Sequence, residues 1–205
     1  HWGVGEDCLQ TVMGIELPLH DPKYAPGFVR SYQYDPTPGR HVKGGLGHSQ
    51  EVGDLKNKYN YCGTGFLDLL DTVNNEVLSS AGFCLFMDFP SPEGARNNYI
   101  EAITGCMFNM QQCYIAGKRI LNMRHAFNLR EGFKLSDFVV PERVVGIPPQ
   151  EEGPLSGITV DNELLGRNFF QAVNWDPDTG KPTLESLRAL GGLENVIKDL
   201  YGEEA

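Results

Sequence analysis

The stretch NMQQCYIAGKRILNMRHAFNL, residues 109–129, decides the fold because it carries the clearest helical pattern in the chain. Its apolar residues recur at intervals of three and four, which is typical of one face of an α-helix. These residues are Met110, Cys113, Tyr114, Gly117, Ile120, Leu121 and Phe127. The polar residues predicted to point outward are Lys118, Arg119, Arg124 and Glu131. Gly132 is predicted to cap the end of this long helix.

Three reactive residues of this region are predicted to have structural roles. Cys106 and Cys113 are seven residues apart, in line with the apolar face of the helix. Free cysteine packs as a small hydrophobic residue, so we expect both thiols in the core. We expect His125 on the helix surface rather than as a ligand.

Further helices are predicted on both sides of the long one. From Gly65 onward the apolar spacing becomes helical, and the run is broken at residues 88–92. Its apolar residues are Phe66, Leu67, Leu69, Leu70, Val73 and Val77. A helix is predicted to restart near Pro92 and to end at Gly105, with Tyr99, Ile100, Ala102 and Ile103 as its apolar residues.

Capping residues mark the helices of the C-terminal part. Asp161 is predicted to cap one helix and Thr183 a shorter one that ends at Gly191-Gly192. A last amphipathic helix is expected from Leu193 to Tyr201. Few alternating patterns typical of strands occur. The fold class predicted is therefore mainly α, an irregular helical domain with long loops rich in proline and glycine.

The chain is predicted to form a single domain, 1–205. A looped N-terminal segment covers 1–50, where five prolines argue against a long regular helix. Core helices cover 65–133, an irregular strap covers 134–160, and C-terminal helices cover 161–205. The aromatic residues of the first segment argue against disorder, because such side chains bury large areas.

Composition excludes several classes of protein. The formal charge of −10 disfavours binding to nucleic acid, whose phosphates an acidic surface repels. No uninterrupted apolar run of the length that spans a membrane occurs. The five cysteines include no Cys-x-x-Cys pair, which argues against a self-contained zinc site or a disulfide scaffold and favours a reducing, cytoplasmic setting. The sequence does not begin with Met and its first residues do not resemble a signal peptide, so a fragment is expected.

Two stretches carry candidate functional residues. Cys84 follows a bend of small residues and lies within an apolar run, where a thiol could be an inert core residue or a metal ligand whose partners lie elsewhere. Four glycines surround His41, Lys43 and His48 in the stretch 39–48. Glycine allows close approach of the backbone to a ligand, although a flexible surface loop is the alternative interpretation.

The order of several motifs resembles the C-terminal part of the tungsten-containing aldehyde:ferredoxin oxidoreductase family. Gly14-Ile15-Glu16-Leu17-Pro18 with Asp21-Pro22 is similar to a Gly-x-Glu-x-Pro…Asp-Pro motif, and Gly82-Phe83-Cys84 to a Gly-Leu-Cys motif. The stretches 119–133 and 174–191 resemble the family's long helix and its C-terminal turn and helix. The resemblance covers nearly the whole chain, with the motifs in the family's order.

The resemblance implies an enzyme that oxidises an aldehyde to a carboxylic acid and passes electrons to ferredoxin. It implies tungsten or molybdenum held by two pterins, beside a [4Fe-4S] cluster whose fourth ligand is Cys84. Ser79, Gly82 and Leu85 would lie along a pterin, and His41 would be the proton donor, with His48 as second choice. Its implied partners are ferredoxin, a small aldehyde and the N-terminal domains of the same protein. A bare surface in a fragment could also pair two copies as a homodimer.

One residue departs from the family pattern. Ser79 occupies a position that is commonly Asp, and serine is a weaker, neutral acceptor for pterin N–H groups. Three alternatives therefore remain open. The protein could be a non-catalytic helical interaction module, or a relative that reduces another carbonyl or acyl substrate. His41, His48 and Cys84 could also form an independent metal site, although their spacing fits no common pattern.

Overall fold

The computed structural model describes residues 11–18, 20–41, 43–44 and 58–202. Within these ranges the protein is mainly α-helical, which confirms the predicted fold class. One small antiparallel hairpin pairs β1 (Thr11–Val12) with β2 (Ile15–Glu16). The α-helices are α1 (Gly27–Tyr34), α2 (Thr64–Ser80), α3 (Leu85–Asp88), α4 (Ala95–Thr104), α5 (Met110–Arg130), α6 (Asn162–Val173), α7 (Leu184–Leu190) and α8 (Glu194–Tyr201).

Helix boundaries agree closely with the capping signals in the sequence. Asn109 caps α5 through hydrogen bonds from the backbone N–H groups of Gln111 and Gln112 to its side chain. Asp161 caps α6 in the same way, and Thr183 caps α7. Gly132, with φ +92°, ends α5: its N–H bonds to Leu129 and the next N–H bonds to Asn128. This is the glycine-centred helix end that the sequence predicted.

Helix α1 was not predicted within the looped N-terminal segment. It has eight residues and fits between Pro26, which takes a helical φ before its first turn, and Pro36. Proline is tolerated at the start of a helix because the missing N–H has no helical partner there. Phe28 and Tyr32 of α1 are buried, as the aromatic content of this segment suggested, whereas Tyr24 is exposed.

The centre of the fold is the packing of α2 against α5 and α6. Gly117 of α5 lies against the backbone of Val73 of α2. Gly65, near the start of α2, lies against the backbone of Asn168 of α6. A Cβ atom at either glycine would overlap those backbone atoms. The absence of a side chain is therefore what permits the helices to approach so closely. The main apolar cluster at this contact contains Leu69, Val73, Leu121, Phe169, Phe170, Val173 and Trp175.

The buried face of α2 carries a stripe of polar side chains, which we call the charged stripe: Asp68, Thr72 and Glu76. Residues four apart lie on the same side of a helix, so the three form one line. Asp68 accepts two hydrogen bonds from Arg30 of α1, and Arg30 also donates to Thr72 at 2.9 Å. Glu76 pairs with Arg124 of α5, and its other oxygen lies 3.2 Å from Nζ of Lys43.

The charged stripe is almost completely removed from solvent. Arg30, Lys43 and Glu76 are each no more than 2% exposed, and the guanidinium of Arg30 lies 3.9 Å from the ring centroid of Phe169. Asp35, which pairs with Arg124 at 3.3 Å, is also buried. Burial raises the pKa of the Asp35 carboxyl, and the charge of Arg124 counteracts this effect. Burial likewise lowers the pKa of Lys43, against the opposing charge of Glu76.

This stripe corrects the expected core face of α2. Leu69, Val73 and Val77 are buried as predicted. Phe66, Leu67 and Leu70 were assigned to the same face but are 58%, 51% and 38% exposed. Helical spacing locates the helix, but it cannot show that paired charges occupy positions on the buried side. The apolar residues that they displace lie on the outer side of α2.

Two expectations for the region of α5 were also wrong. Cys113 is buried as predicted, but Cys106 is exposed because it follows the end of α4 at Gly105 and lies outside α5. Lys118, expected outward, is buried, and its ammonium group lies 5.7 Å from the ring centroid of Tyr114. No burial was predicted for the apolar residues of α4, of which Tyr99 and Ile103 are 59% and 82% exposed.

His125 is in the core rather than on the helix surface. Its ring stacks on Trp175 with centroids 3.9 Å apart, and its Nε2 is 2.8 Å from the carbonyl oxygen of Gly180. The second ring nitrogen, Nδ1, is buried without a hydrogen-bond partner in the described part of the chain. Burial lowers the pKa of His125 to about 4, so the imidazole is neutral at pH 7 and donates from Nε2. This contact fixes the turn between α6 and α7.

We expect the Asp68→Ala variant to lose about 3–5 kcal/mol of unfolding free energy, because it leaves Arg30 buried without its carboxylate partner. Urea unfolding followed by circular dichroism measures this loss. The control is the double variant Arg30→Met with Asp68→Leu, which removes both charges and should recover most of the stability. A loss below about 1 kcal/mol in Asp68→Ala would show that the pair is not an essential anchor of α1 to α2.

We expect the protein to lose about 3 kcal/mol of stability through His125 as the pH falls from 6.5 to 4. The pKa of His125 is about 4 in the folded protein, against a reference value of 6.5. The unfolded chain therefore binds more protons in this interval, and the contribution is complete only above pH 6.5. Urea unfolding at several pH values measures it.

The matched variant for this pH series is His125→Gln, whose side-chain amide can donate to Gly180 but does not titrate. It should be less stable than the parent at pH 7, because the stack on Trp175 is weakened. The difference between the two proteins should shrink as the pH falls. A constant difference from pH 7 to pH 4 would contradict a buried neutral His125.

Candidate functional site

Cys84 lies in an exposed turn between α2 and α3. The chain leaves α2 through Gly82, with φ +75°, where the Gly82 N–H bonds to Ser79 and the Phe83 N–H bonds to Leu78. This pattern is the same glycine-centred helix end as at Gly132. Cys84 then takes an extended backbone conformation and precedes the first residue of α3. Its carbonyl oxygen accepts hydrogen bonds from Met87 and Asp88, so the thiol is exposed at a defined turn.

The three residues expected along a pterin are all near this turn. Ser79 is half-buried in the last turn of α2, Gly82 is exposed, and Leu85 is half-buried at the start of α3. Apart from its chain neighbours, no atom of the described residues lies within 4 Å of the position where a Cβ would stand on Gly82, so its backbone faces open space there. The left-handed conformation of Gly82 is sufficient reason for glycine at this position. Open space at the same point leaves its backbone accessible to a ligand.

Large apolar side chains are exposed just after Cys84 and in the segment between α4 and α5. Phe86, Met87 and Phe89 are 73%, 67% and 64% exposed, and Met107 is 65% exposed. A groove of about 590 Å³ between α2 and α5 is lined in part by Leu67, Leu70, Met110 and Tyr114. We call these side chains, together with Phe66 and Ile103, the bare apolar face. Large exposed apolar areas of this kind mark sites of interaction with other protein surfaces.

His41 belongs to a stack of four rings that the sequence did not predict, which ends with Tyr32 stacked on Phe28 at 5.4 Å. Its ring lies on that of His20, with centroids 4.9 Å apart and planes inclined by 18°. His20 in turn stacks on Phe28 of α1 at 4.4 Å, and its Nδ1 is 3.0 Å from the hydroxyl oxygen of Tyr32. The Nε2 atom of His41 is buried without a hydrogen-bond partner among the described residues. His48 lies outside the described residues.

His20 and Tyr32 are the members of this site that sequence reasoning missed. His20 precedes the Asp21-Pro22 pair already identified as a motif, and Tyr32 lies one turn after Phe28 on α1. Burial lowers the pKa of His20, and the charge of His41 lowers it further. Two imidazolium ions stacked at this distance repel each other. The pair therefore favours states with at most one bound proton.

The loop that contains His41 is tied to the charged stripe. Lys43, two residues further on, pairs with Glu76 of α2, and Gly44 packs against Thr72 and Arg30. A Cβ on Gly44 would overlap the Thr72 hydroxyl, so glycine is required for this approach. The position of His41 therefore depends both on α1, through His20, and on α2, through Lys43.

The described residues contain no group of three or more histidine, cysteine, aspartate or glutamate side chains arranged to hold a metal ion. The hypothesis of an independent metal site includes His48, which lies outside the described residues, and therefore stays a hypothesis. Among the same residues, no helix combines the length and the apolar character that crossing a membrane requires. A separate cleft of about 600 Å³ near α6 and α7 is lined by Arg167, Trp175 and Thr183 and contains none of the candidate residues.

We expect the pKa of His20 to rise in the His41→Ala variant, because the variant removes a neighbouring positive charge and uncovers one face of the His20 ring. Titration of the histidine ring resonances by NMR measures the change. The resonance of His125, whose pKa is about 4, is the internal control and should not move. An unchanged pKa of His20 would show that the two rings do not interact in solution.

Residues 1–191 match the family model described as aldehyde ferredoxin oxidoreductase, domains 2 and 3. Among curated proteins, the tungsten-containing aldehyde ferredoxin oxidoreductase of Pyrococcus furiosus is 28% identical over 193 residues, which are 90% of this chain and 31% of that protein. The protein of the same name from Pyrococcus abyssi is 27% identical over 202 residues, 94% of this chain and 32% of that protein.

A third relative, from Thermococcus kodakarensis and of the same name, is 26% identical over 90% of this chain. The chain spans about a third of the length of these curated relatives. The match to the family model covers the Cys84 turn, the stacked histidines and helices α1 to α7. The chain belongs to the aldehyde ferredoxin oxidoreductase family.

Proposed function

We propose that this chain is the C-terminal part of a tungsten or molybdenum pterin oxidoreductase that oxidises an aldehyde to a carboxylic acid, with ferredoxin as electron acceptor. The observation that carries the proposal is the exposed thiol of Cys84, fixed in a tight turn and flanked by exposed apolar side chains. The curated relatives are named tungsten-containing aldehyde ferredoxin oxidoreductases, and this name suggests the metal, the substrate class and the acceptor.

The thiol of Cys84 fits the role of one ligand to a [4Fe-4S] cluster. Such a cluster needs four thiolates, and Cys84 would supply one of them. The exposed position of the sulfur leaves it open to an iron held mainly by cysteines from elsewhere in the protein. Once bound, the metal, pterin and cluster would supply the two-electron chemistry, in which an aldehyde and water give a carboxylic acid, two protons and two electrons.

Ser79, Gly82 and Leu85 would line the pterin side of the turn. The Ser79 hydroxyl can accept a hydrogen bond from a pterin N–H group, although more weakly than a carboxylate. The backbone at Gly82 can be approached closely because it has no side chain and faces open space. Leu85 would cover the ring system with its half-buried side chain. Together they would form one wall of the cofactor pocket.

His41 would accept or donate a proton at Nε2, the ring nitrogen without a partner among the described residues. An imidazole can both accept and donate a proton, as general acid–base catalysis requires. Aldehyde oxidation releases protons, and a neutral His41 can take one of them. The pKa of the stacked His20 is lowered by burial and by the charge of His41, which helps to keep His20 neutral when His41 is protonated.

The bare apolar face would be covered by the N-terminal domains of the same polypeptide. Domain interfaces of this kind bury apolar side chains, whereas a free surface with Phe86 73% exposed and Ile103 82% exposed favours aggregation. The groove between α2 and α5 would accept side chains from those domains. Cys84 would then lie at the junction, where ligands from both parts can reach one cluster.

The alternative is a non-catalytic helical module that has kept the fold and lost the cofactors. The observation in its favour is Ser79, which replaces a charged acceptor by a neutral one at the proposed pterin site. The charged stripe and the helix caps would stabilise the fold equally well in such a module. Metal content separates the two functions directly.

The test is anaerobic expression of the full-length protein, with iron, tungsten and molybdenum measured per chain. We expect about four irons and one tungsten or molybdenum in the parent, and a clear loss of iron in Cys84→Ala. The matched control is Cys62→Ala, which removes another exposed thiol and should keep the iron. A parent protein without iron, tungsten or molybdenum would overturn the enzyme proposal and favour the helical module.

A further inference from the structure

Cys84 is not held in place by buried side chains of the turn and short helix to which it belongs. Helix α3, which begins at the next residue, contains no buried residue. Its apolar side chains Phe86 and Met87 point to solvent, as does Phe89 just after it. A four-residue helix without buried side chains has little stability of its own, since helix formation needs a costly nucleus and tertiary packing. Other contacts must therefore fix the direction in which the thiol points.

Two side chains of α4 hold the turn, one on each side of Cys84. Nη1 of Arg96 lies 3.0 Å from Oδ2 of Asp88, the last residue of α3. The ring of Tyr99 stacks on that of Phe83, with centroids 6.4 Å apart and planes inclined by 22°. Residues three apart lie on the same side of a helix, so Arg96 and Tyr99 present one surface to the turn.

Arg96 is itself held from two further directions. It is only 8% exposed, and its Nη2 donates to the side-chain oxygen of Asn74 on α2. The same nitrogen is 4.0 Å from Sγ of Cys113 on α5. A buried guanidinium is retained where several acceptors fix it, because its desolvation must be offset. Arg96 therefore connects the exposed turn at Cys84 to the rigid pair formed by α2 and α5.

We propose that Arg96 is a positioning residue for Cys84 and acts through Asp88. The backbone of Asp88 donates to the carbonyl oxygen of Cys84 at 3.0 Å, while its carboxylate pairs with Arg96. Through Arg96 and Asp88, the backbone at Cys84 is therefore held in a fixed position relative to α2 and α5. The inference rests on the proposed role of Cys84 as a cluster ligand. Supporting residues of this kind hold metal ligands in place and affect occupancy when they are lost.

The experiment uses the Asp88→Ala variant of the full-length protein, prepared anaerobically. It removes the carboxylate but leaves Arg96 with Asn74 and Cys113, so the helix pair keeps its own contacts. We expect iron per chain to fall to half of the parent value or less, with a broadened or shifted electron paramagnetic resonance signal of the reduced cluster. The conservative variant Asp88→Asn keeps an acceptor oxygen and should retain more iron than Asp88→Ala.

Two controls distinguish positioning from general loss of stability. Glu93→Ala removes an exposed carboxylate close to the same helix and should leave iron and spectrum unchanged. Leu187→Ala truncates a fully buried side chain in the cluster between α7 and α8 and lowers stability without touching α3 or α4. The folded fraction of Leu187→Ala should contain as much iron per chain as the parent protein. A greater loss of iron in Asp88→Ala than in Leu187→Ala, at equal thermal stability, supports positioning.

Parent iron content and an unchanged signal in Asp88→Ala would overturn the inference. So would equal losses of iron in Asp88→Ala and in an equally destabilised Leu187→Ala protein. Failure of the underlying function looks different, because the parent would then lack iron or Cys84→Ala would keep it. If Cys84→Ala loses the cluster while Asp88→Ala does not, only the role of Arg96 is refuted.

Discussion

The charged stripe on α2 is the constraint on which most of the structure depends. Asp68, Thr72 and Glu76 are buried, and cations from three other segments must reach them. Arg30 comes from α1, Arg124 from α5 and Lys43 from the loop after His41. Buried charges cost several kcal/mol each when they lose their partners. The partners therefore cannot be rearranged independently, and the relative positions of these segments are fixed together.

The same stripe decides which side of α2 is left for interaction. Charges occupy positions toward the centre of the molecule, so Phe66, Leu67 and Leu70 are turned outward. These side chains join the exposed residues of α3 and α4 in the bare apolar face. An isolated protein gains nothing from such a surface, whereas a domain that packs on other domains requires one. The inverted pattern of α2 thus fits a chain that spans a third of its relatives' length.

The two groups with proposed chemical roles are positioned by different means. His41 is fixed within the first part of the chain, by the stack on His20 and by the pairing of Lys43 with Glu76. Cys84 is exposed and depends on the end of α2 at Gly82 and on Arg96 and Tyr99 of α4. Both arrangements lead back to α2. A change in the packing of α2 would therefore be expected to affect both proposed sites.

The sequence by itself determined the features that depend on neighbouring residues. Asp161 and Thr183 predicted the starts of two helices, and Gly105 and Gly132 predicted the ends of two, because capping is a local interaction. The order of the motifs was sufficient to identify the family, and the exposed thiol at Cys84 follows a bend that glycine already indicated.

Only the tertiary structure decided what each helix face contacts. The spacing of apolar residues could not show that Asp68 and Glu76 are buried, because their partners are tens of residues away in sequence. His125 was expected on the surface for the same reason, since Trp175 and Gly180 reach it from beyond α6. The stack of His20 on His41 also joins separate segments. Pairing between distant residues, rather than local propensity, thus places the buried charges and imidazoles of this protein.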